Sequence, residues 1–227
     1  FGLEPDMTVV EIWPGPGWYS RVIAPVLKEG GGVFYAAQLP VSEEEPRFKS
    51  MLDAYFAEFG DTDVYGEVRA STFAPDEEIA PPGSADMVLT FRNVHNWVPG
   101  GRAEAAFAAF YEALKPGGVL GVVDHRADGT ELPNDGSKGY LYTDDVIAMA
   151  QSAGFDFDTA SEINANANDT KDHPFGVWTL PPVSRQSDVS GVEDPEFDGA
   201  KYKAIGESDR FTLKFRKPIA ADGALIE

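Results

Sequence analysis

Residues 9–20 read VVEIWPGPGWYS. The apolar, β-prone residues Val9, Val10 and Ile12 stop abruptly at Pro14-Gly15-Pro16-Gly17, and a helix-compatible run begins at Trp18. A strand, a glycine-rich turn and a helix in that order open a nucleotide-binding α/β sheet. Glycine lets a ligand approach the backbone because no Cβ stands in the way. Glu11 falls just before the turn, where a strand end would hold its carboxylate beside a pocket. A Gly-x-Gly alone occurs in many ordinary turns, so the elements around it must carry the assignment.

Working outward, 7–12 is the first strand and 19–28 the first helix, stopped by Gly30-Gly31-Gly32. A second strand spans 33–39. Phe48, Met51, Leu52, Tyr55, Phe56 and Phe59 recur at helical spacing over 47–59, with Phe48, Met51, Tyr55 and Phe59 expected in the core. Short strand 64–70 and an acidic, proline-rich loop to Pro82 come next, then buried strand 85–91, helix 103–114, the turn Lys115-Pro116-Gly117-Gly118 and strand 119–124. Continuous apolar strands alternating with helices indicate a parallel sheet covered on both faces. Beyond polar 126–142, Thr143 reads as the N-cap of helix 144–153, followed by strand 155–163. Residues 164–209 are irregular, long enough to be functional or an ordered lid. FTLKF at 211–215 alternates as a last, partly exposed strand. The expectation is one domain, 1–227, with a cofactor-binding core over 1–125 and a C-terminal part over 126–227.

Composition narrows the function classes. The chain has 227 residues, 43% of them hydrophobic, enough for one sizeable core. Its formal net charge of −20 argues against nucleic acid, which needs clustered Lys and Arg. No apolar run has the length of a membrane span, so no membrane insertion is expected. The absence of cysteine removes disulfides, Cys-zinc sites and thiol nucleophiles. That composition, and a start at Phe1, suit an exported protein as well as a cytoplasmic one.

Taken in order, VVEIWPGPG, the second strand, DMVLTFRNVHNW, ALKPGGVLGVVDH and AGFDF resemble the class I S-adenosylmethionine-dependent methyltransferases over nearly the whole chain. More narrowly, WPGPGWYS with FRNVHNW, NDTKDHP and DRFTLKFRKP is similar to a bacterial group of predicted methyltransferases. The resemblance implies a Rossmann-like three-layer α/β sandwich, its seven-stranded, mostly parallel sheet ending in an antiparallel strand beside the sixth. It implies S-adenosylmethionine as cofactor, a small-molecule substrate and, through cofactor supply, a cytoplasmic setting. Glu11 matches the acidic position of the first motif, and Gly15 and Gly17 its second and third glycines. Trp13 stands in place of the first glycine, and Gln38 in place of the acid that receives the ribose hydroxyls. Asn93 matches a position bordering the methionine part, and Arg69, Ala70 and Ser71 lie toward the adenine.

Methyl transfer needs positioned partners, exclusion of water and, for some acceptors, a base. His95 and His125 follow the fourth and fifth strands, at the edge where α/β sheets bind ligands, and are the candidate catalytic residues. Trp13 and Tyr19 are expected in the cofactor pocket. Trp97, Asn168 and His173 are expected on the substrate side. Asp124, His125, His95, Asp169, Asp172 and His173 are metal-compatible types, but their spacing matches no ligand motif, so no metal is expected. The acidic, asparagine-rich segment suggests a polar or cationic acceptor. The competing reading is a methyltransferase fold without catalysis, a binding or exported scaffold protein, because two cofactor positions depart from the family.

Overall fold

The computed structural model describes residues 1–40, 46–74, 77–129, 132–133, 135–189 and 191–219. Parts of the proline-rich loop, of the polar stretch 126–142 and of the 164–209 segment therefore lie outside the described residues. The elements, in chain order, are β1 (Thr8–Ile12), α1 (Ser20–Gly30), β2 (Val33–Gln38), α2 (Pro46–Phe59), α3 (Thr62–Tyr65), β3 (Val68–Thr72), β4 (Ala85–Phe91) and α4 (Val94–Trp97). There follow α5 (Ala103–Ala113), β5 (Leu114–His125), α6 (Thr143–Ser152), β6 (Asp156–Ser161), α7 (Gly199–Ile205) and β7 (Arg210–Arg216).

The strands make one seven-stranded sheet, β3-β2-β1-β4-β5-β7-β6. The first five are parallel to their neighbours, and β7 runs antiparallel to both β5 and β6. Period-two alternation sends neighbouring side chains to opposite faces. Val9, Met87, Leu89 and Val119 meet Ile23 and Leu27 of α1 and Tyr55 and Phe59 of α2. Val10, Ile12, Val88, Leu120 and Val122 meet Phe107 and Phe110 of α5 and Val146 and Ala150 of α6. Burial on both faces accounts for the unbroken apolar runs of β1, β4 and β5. This is the three-layer, Rossmann-like sandwich expected from the sequence.

Three local expectations are corrected. The strand expected over 64–70 starts only at Val68, and its first two residues belong to α3, because the Asp61 carboxylate accepts the Asp63 N–H and caps the turn. Thr143 is the first residue of α6 and makes no cap bond; Tyr142 precedes the helix. Phe48 is 38% exposed, since only the Tyr55–Phe59 end of α2 reaches the sheet. The last strand, β7, is partly exposed and antiparallel beside β6 as expected; it lies interior, and β6, whose residues are largely exposed, forms the edge. The alternation of β7 reflects cover on one face: Phe211, Leu213 and Phe215 are buried while Thr212 and Lys214 are half-buried.

Strand order reverses between β1 and β4: successive strands are added outward from β1 through β2 to β3, and β4 returns, still parallel, to β1's other side. A crevice at the carboxyl ends of β1 and β4 follows from that reversal. The 164–209 segment folds over the same edge. It contains a short 3-10 turn (Gly176–Thr179) and α7.

Candidate active site

The crevice is a cleft of about 380 Å³, toward the small end of the ~300–1,000 Å³ usual for small-molecule sites. Its floor is Glu11 and Ile12. Trp13, Gly15, Trp18 and Tyr19 follow β1; Arg92, Asn93, His95 and Asn96 follow β4; His125 ends β5. The C-terminal segment supplies the far wall through Val177, Trp178, Leu180, Val183, Glu207 and Ser208. Tyr19 lies flat on Phe91, ring centroids 3.6 Å apart, and Trp18 stands edge-on to Tyr19 at the mouth.

Glu11 is buried, and its carboxylate accepts from Ser20 Oγ at 2.6 Å; Ser20 Oγ in turn accepts from Tyr55 O–H at 2.9 Å. No cation pairs with Glu11 among the described residues. Burial therefore pushes its carboxyl up to about 7, the Ser20 hydrogen bond opposing only in part.

Three buried groups converge beside it: His95, Asp124 and His125. Asp124 Oδ1 accepts from the His125 backbone N–H at 2.8 Å and lies 2.8 Å from His95 Nδ1; Oδ2 accepts from the His95 N–H at 3.1 Å. Burial would raise the Asp124 carboxyl, but the His95 charge and hydrogen bond, then His125, outweigh it and hold it below the usual range. Asp124 orients the His95 ring through Nδ1, which leaves Nε2 outside that hydrogen bond. His125 Nδ1 is hydrogen-bonded to Ser208 Oγ at 2.5 Å. Burial pulls His125 down to about 3; the Asp124 carboxylate opposes this, and His95, Arg92 and Arg210 add to it. His125 is thus neutral at physiological pH. By donor type, the trio could ligate a divalent cation. In the observed arrangement both Asp124 oxygens are already taken by N–H donors.

The remaining sequence candidates are placed as follows. Gly15 and Trp13 line the cleft, but Trp13 has a left-handed backbone (φ 46°) and its indole stands edge-on to Phe73 and Trp97. Gly17 is turned away from the cleft toward α2, where a Cβ would come within 2.3 Å of the Phe59 ring. Gln38 lines a separate hollow with Leu39, Phe56, Ala70 and Thr72, and its buried Nε2 has no partner among the described residues. The backbone N–H of Trp13 donates to Ala37 O, next to Gln38 on β2, at 2.8 Å. Asn93 Nδ2 is committed to Ile12 O and Thr90 Oγ1. Trp97 is buried in the core and does not line the cleft.

His173 and Asn168 also lie apart from the cleft. The Asp169 carboxylate accepts from Tyr140 O–H, from the backbone N–H of Lys171 and of Asp209, and lies 2.8 Å from His173 Nε2. Asp209 receives two hydrogen bonds from Arg126 and an ion pair from Lys171 at 3.1 Å. Asn168 is exposed, its N–H donating to Asn166 Oδ1, while Asn166 Nδ2 donates to the Ile205 and Glu207 carbonyls. These residues fasten the C-terminal segment. Sequence reading missed Arg92, Trp178 and Ser208; only the run FRNVHNW, with an arginine just past a buried strand, pointed toward the first.

No family model matches the chain, and no curated protein matches it. Its fold is similar to that of an S-adenosylmethionine-dependent methyltransferase from Aquifex aeolicus: TM-score 0.60, 14% identity, covering 96% of this chain and 85% of that one. It is similar to one from Mesorhizobium loti, with TM-score 0.55, 15% identity and coverage of 95% and 93%. It is also similar to the (4+2)-cyclase SpnF, with TM-score 0.64, 15% identity and coverage of 96% and 78%. At such identities the likeness shows the fold, which is the one S-adenosylmethionine-dependent methyltransferases adopt. SpnF carries a different reaction in its name, so the site has to argue the chemistry.

Proposed function

We propose that this protein is an S-adenosylmethionine-dependent methyltransferase acting on a small molecule, related to the bacterial group with the WPGPGWYS motif. One observation carries the reading: on this fold, the switch-point cleft holds both a buried carboxylate without a cation (Glu11) and an aspartate-oriented imidazole (His95).

The donor set suits the cofactor. Glu11 would accept its α-ammonium, replacing the missing countercharge, and the orphaned Gln38 Nε2 would donate to a ribose hydroxyl. Asn93 shapes the floor rather than contacting ligand, its amide N–H groups being used internally. When bound, the cofactor supplies an electrophilic methyl group on a sulfonium. The chain's own residues do the rest. His95 Nε2 takes the acceptor's proton, and Asp124 stabilises the resulting imidazolium. Neutral His125, held by Ser208, borders the acceptor. Trp18, Tyr19 and Trp178 close the mouth against water.

Calorimetric titration with S-adenosylmethionine tests this. Saturable heat below millimolar ligand is expected, and its absence sinks the cofactor assignment. That outcome would favour the second reading, a fold without catalysis, which Trp13 supports by standing in place of the family's first glycine and packing its indole on Phe73 and Trp97.

A further inference from the structure

Arg92 is the residue of the cleft least accounted for. It follows β4, and its backbone N–H donates to Val123 O at 2.7 Å while its φ is +61°. A left-handed backbone is costly for so large a side chain and persists only where its surroundings impose it. Among the described residues its guanidinium makes no hydrogen bond or ion pair, and its Nε is buried without a partner. Arg92 as a whole is half-buried, and its Nε is the atom removed from water, where a donor ordinarily has a partner. In a chain with 38 acidic residues and 18 basic ones, an arginine lining a cleft with no carboxylate on it stands out.

The surrounding groups narrow what it awaits. Glu207, the acidic residue of the C-terminal wall, is taken by Arg210 at 2.8 Å. Glu11 is bonded to Ser20 Oγ and makes no ion pair with Arg92. Arg92 acts instead on His125 and Tyr19. The guanidinium is planar and presents paired donors that match the two oxygens of a carboxylate or phosphate. Aromatic surface from Tyr19, Phe91 and Trp178 lies beside it.

We infer that Arg92 forms an oxyanion subsite on the histidine side of the cleft, receiving a carboxylate or phosphate group of the methyl acceptor. This reverses the cationic acceptor suggested by the acidic composition: the surface is acidic, the subsite basic. Its role as an acceptor site rests on the methyltransferase reading; its binding of an oxyanion does not.

The test is calorimetric titration of the whole protein with benzoate and with its uncharged isostere benzamide at fixed ionic strength. Benzoate is expected to bind about tenfold more tightly, the effect of one charge-assisted contact. Arg92→Met should erase that preference while leaving benzamide binding in place. Arg92→Gly should do the same with a melting temperature at or above the parent's, because glycine accepts the left-handed backbone. No benzoate binding to the parent, equal affinity for the two probes, or an undiminished preference in either variant overturns the subsite. S-adenosylmethionine titrated into the same variants separates the two sources of carboxylate. Unchanged affinity places the oxyanion on the acceptor, and a tenfold loss reassigns Arg92 to the cofactor and overturns the acceptor claim. If the cofactor fails to bind while the benzoate preference persists, the methyltransferase reading falls and the oxyanion subsite stands.

Discussion

Glu11 couples the site to pH. Its carboxyl holds a proton up to about pH 7 in the folded chain and releases it near 4.5 when unfolded. Between those values the folded state binds more protons, so stability falls as pH rises. The contribution is complete below pH 4.5 and lost through pH 7. Glu11→Gln keeps an acceptor for Ser20 and cannot ionise. The variant should match the parent at pH 4 and exceed it by up to about 3 kcal/mol at pH 8. Urea denaturation at the two pH values reads this; a difference that stays constant with pH would refute it. A cationic ligand reverses the logic, because only the ionised carboxylate pairs with it. Glu11 was legible as acidic residue and strand end. Its proton was not, because the absence of a countercharge is a property of the folded surroundings.

At the scale of the element, the turn after β1 divides its glycines between two tasks. Gly15 lines the cleft, whereas Gly17 (φ +84°) exists so that α2 can approach: Phe59 and Tyr55 occupy the space a Cβ would need. Gly17→Ala combines a left-handed penalty with overpacking and should cost about 2–4 kcal/mol, read as a lower urea midpoint. The same variant, where folded, should keep the parent's ligand affinity; selective loss of affinity would return Gly17 to the binding site. Turn chemistry is local, so the sequence showed that glycines were needed there. It did not separate the two tasks, since Phe59 lies forty-two residues further along. Reading 64–65 as the start of a strand has the opposite cause. The aspartate cap is a local signal, present in Asp61-Thr62-Asp63, that the apolar residues around it masked.

For the whole molecule, the decisive feature is how the C-terminal segment is held across the sheet edge. Asp209 sits at the join, bonded to Arg126, the Asn166 N–H and Lys171, with Lys171 also paired to Asp128. Burial would raise the Asp209 carboxyl; those partners outweigh it and hold it down to about 2. The depressed value contributes stability above the unfolded pKa of 3.8, lost as pH falls toward 2. Asp209→Asn removes one of two countercharges from each of Arg126 and Lys171, which keep Glu162 and Asp128, at a cost of about 2 kcal/mol. Hydrogen exchange should rise first in 164–183 while β1, β4 and β5 stay protected. Uniform loss of protection would show that the segment is not a separate fastening.

Periodicity, glycine turns and the order of motifs by themselves determined that this chain is a Rossmann-like sheet with its binding edge after β1, β4 and β5. Those signals act over a few residues and survive in the linear text. Only the tertiary structure decided which polar groups meet. It set Asp124 beside His95, twenty-nine residues away, and Ser208 beside His125, eighty-three away. It drew His173 into the fastening of the segment, turned Trp13 toward Phe73 and Trp97, and left Arg92 without a partner. The physical reason is that burial and countercharge are properties of a location in the folded chain, and long-range packing sets them.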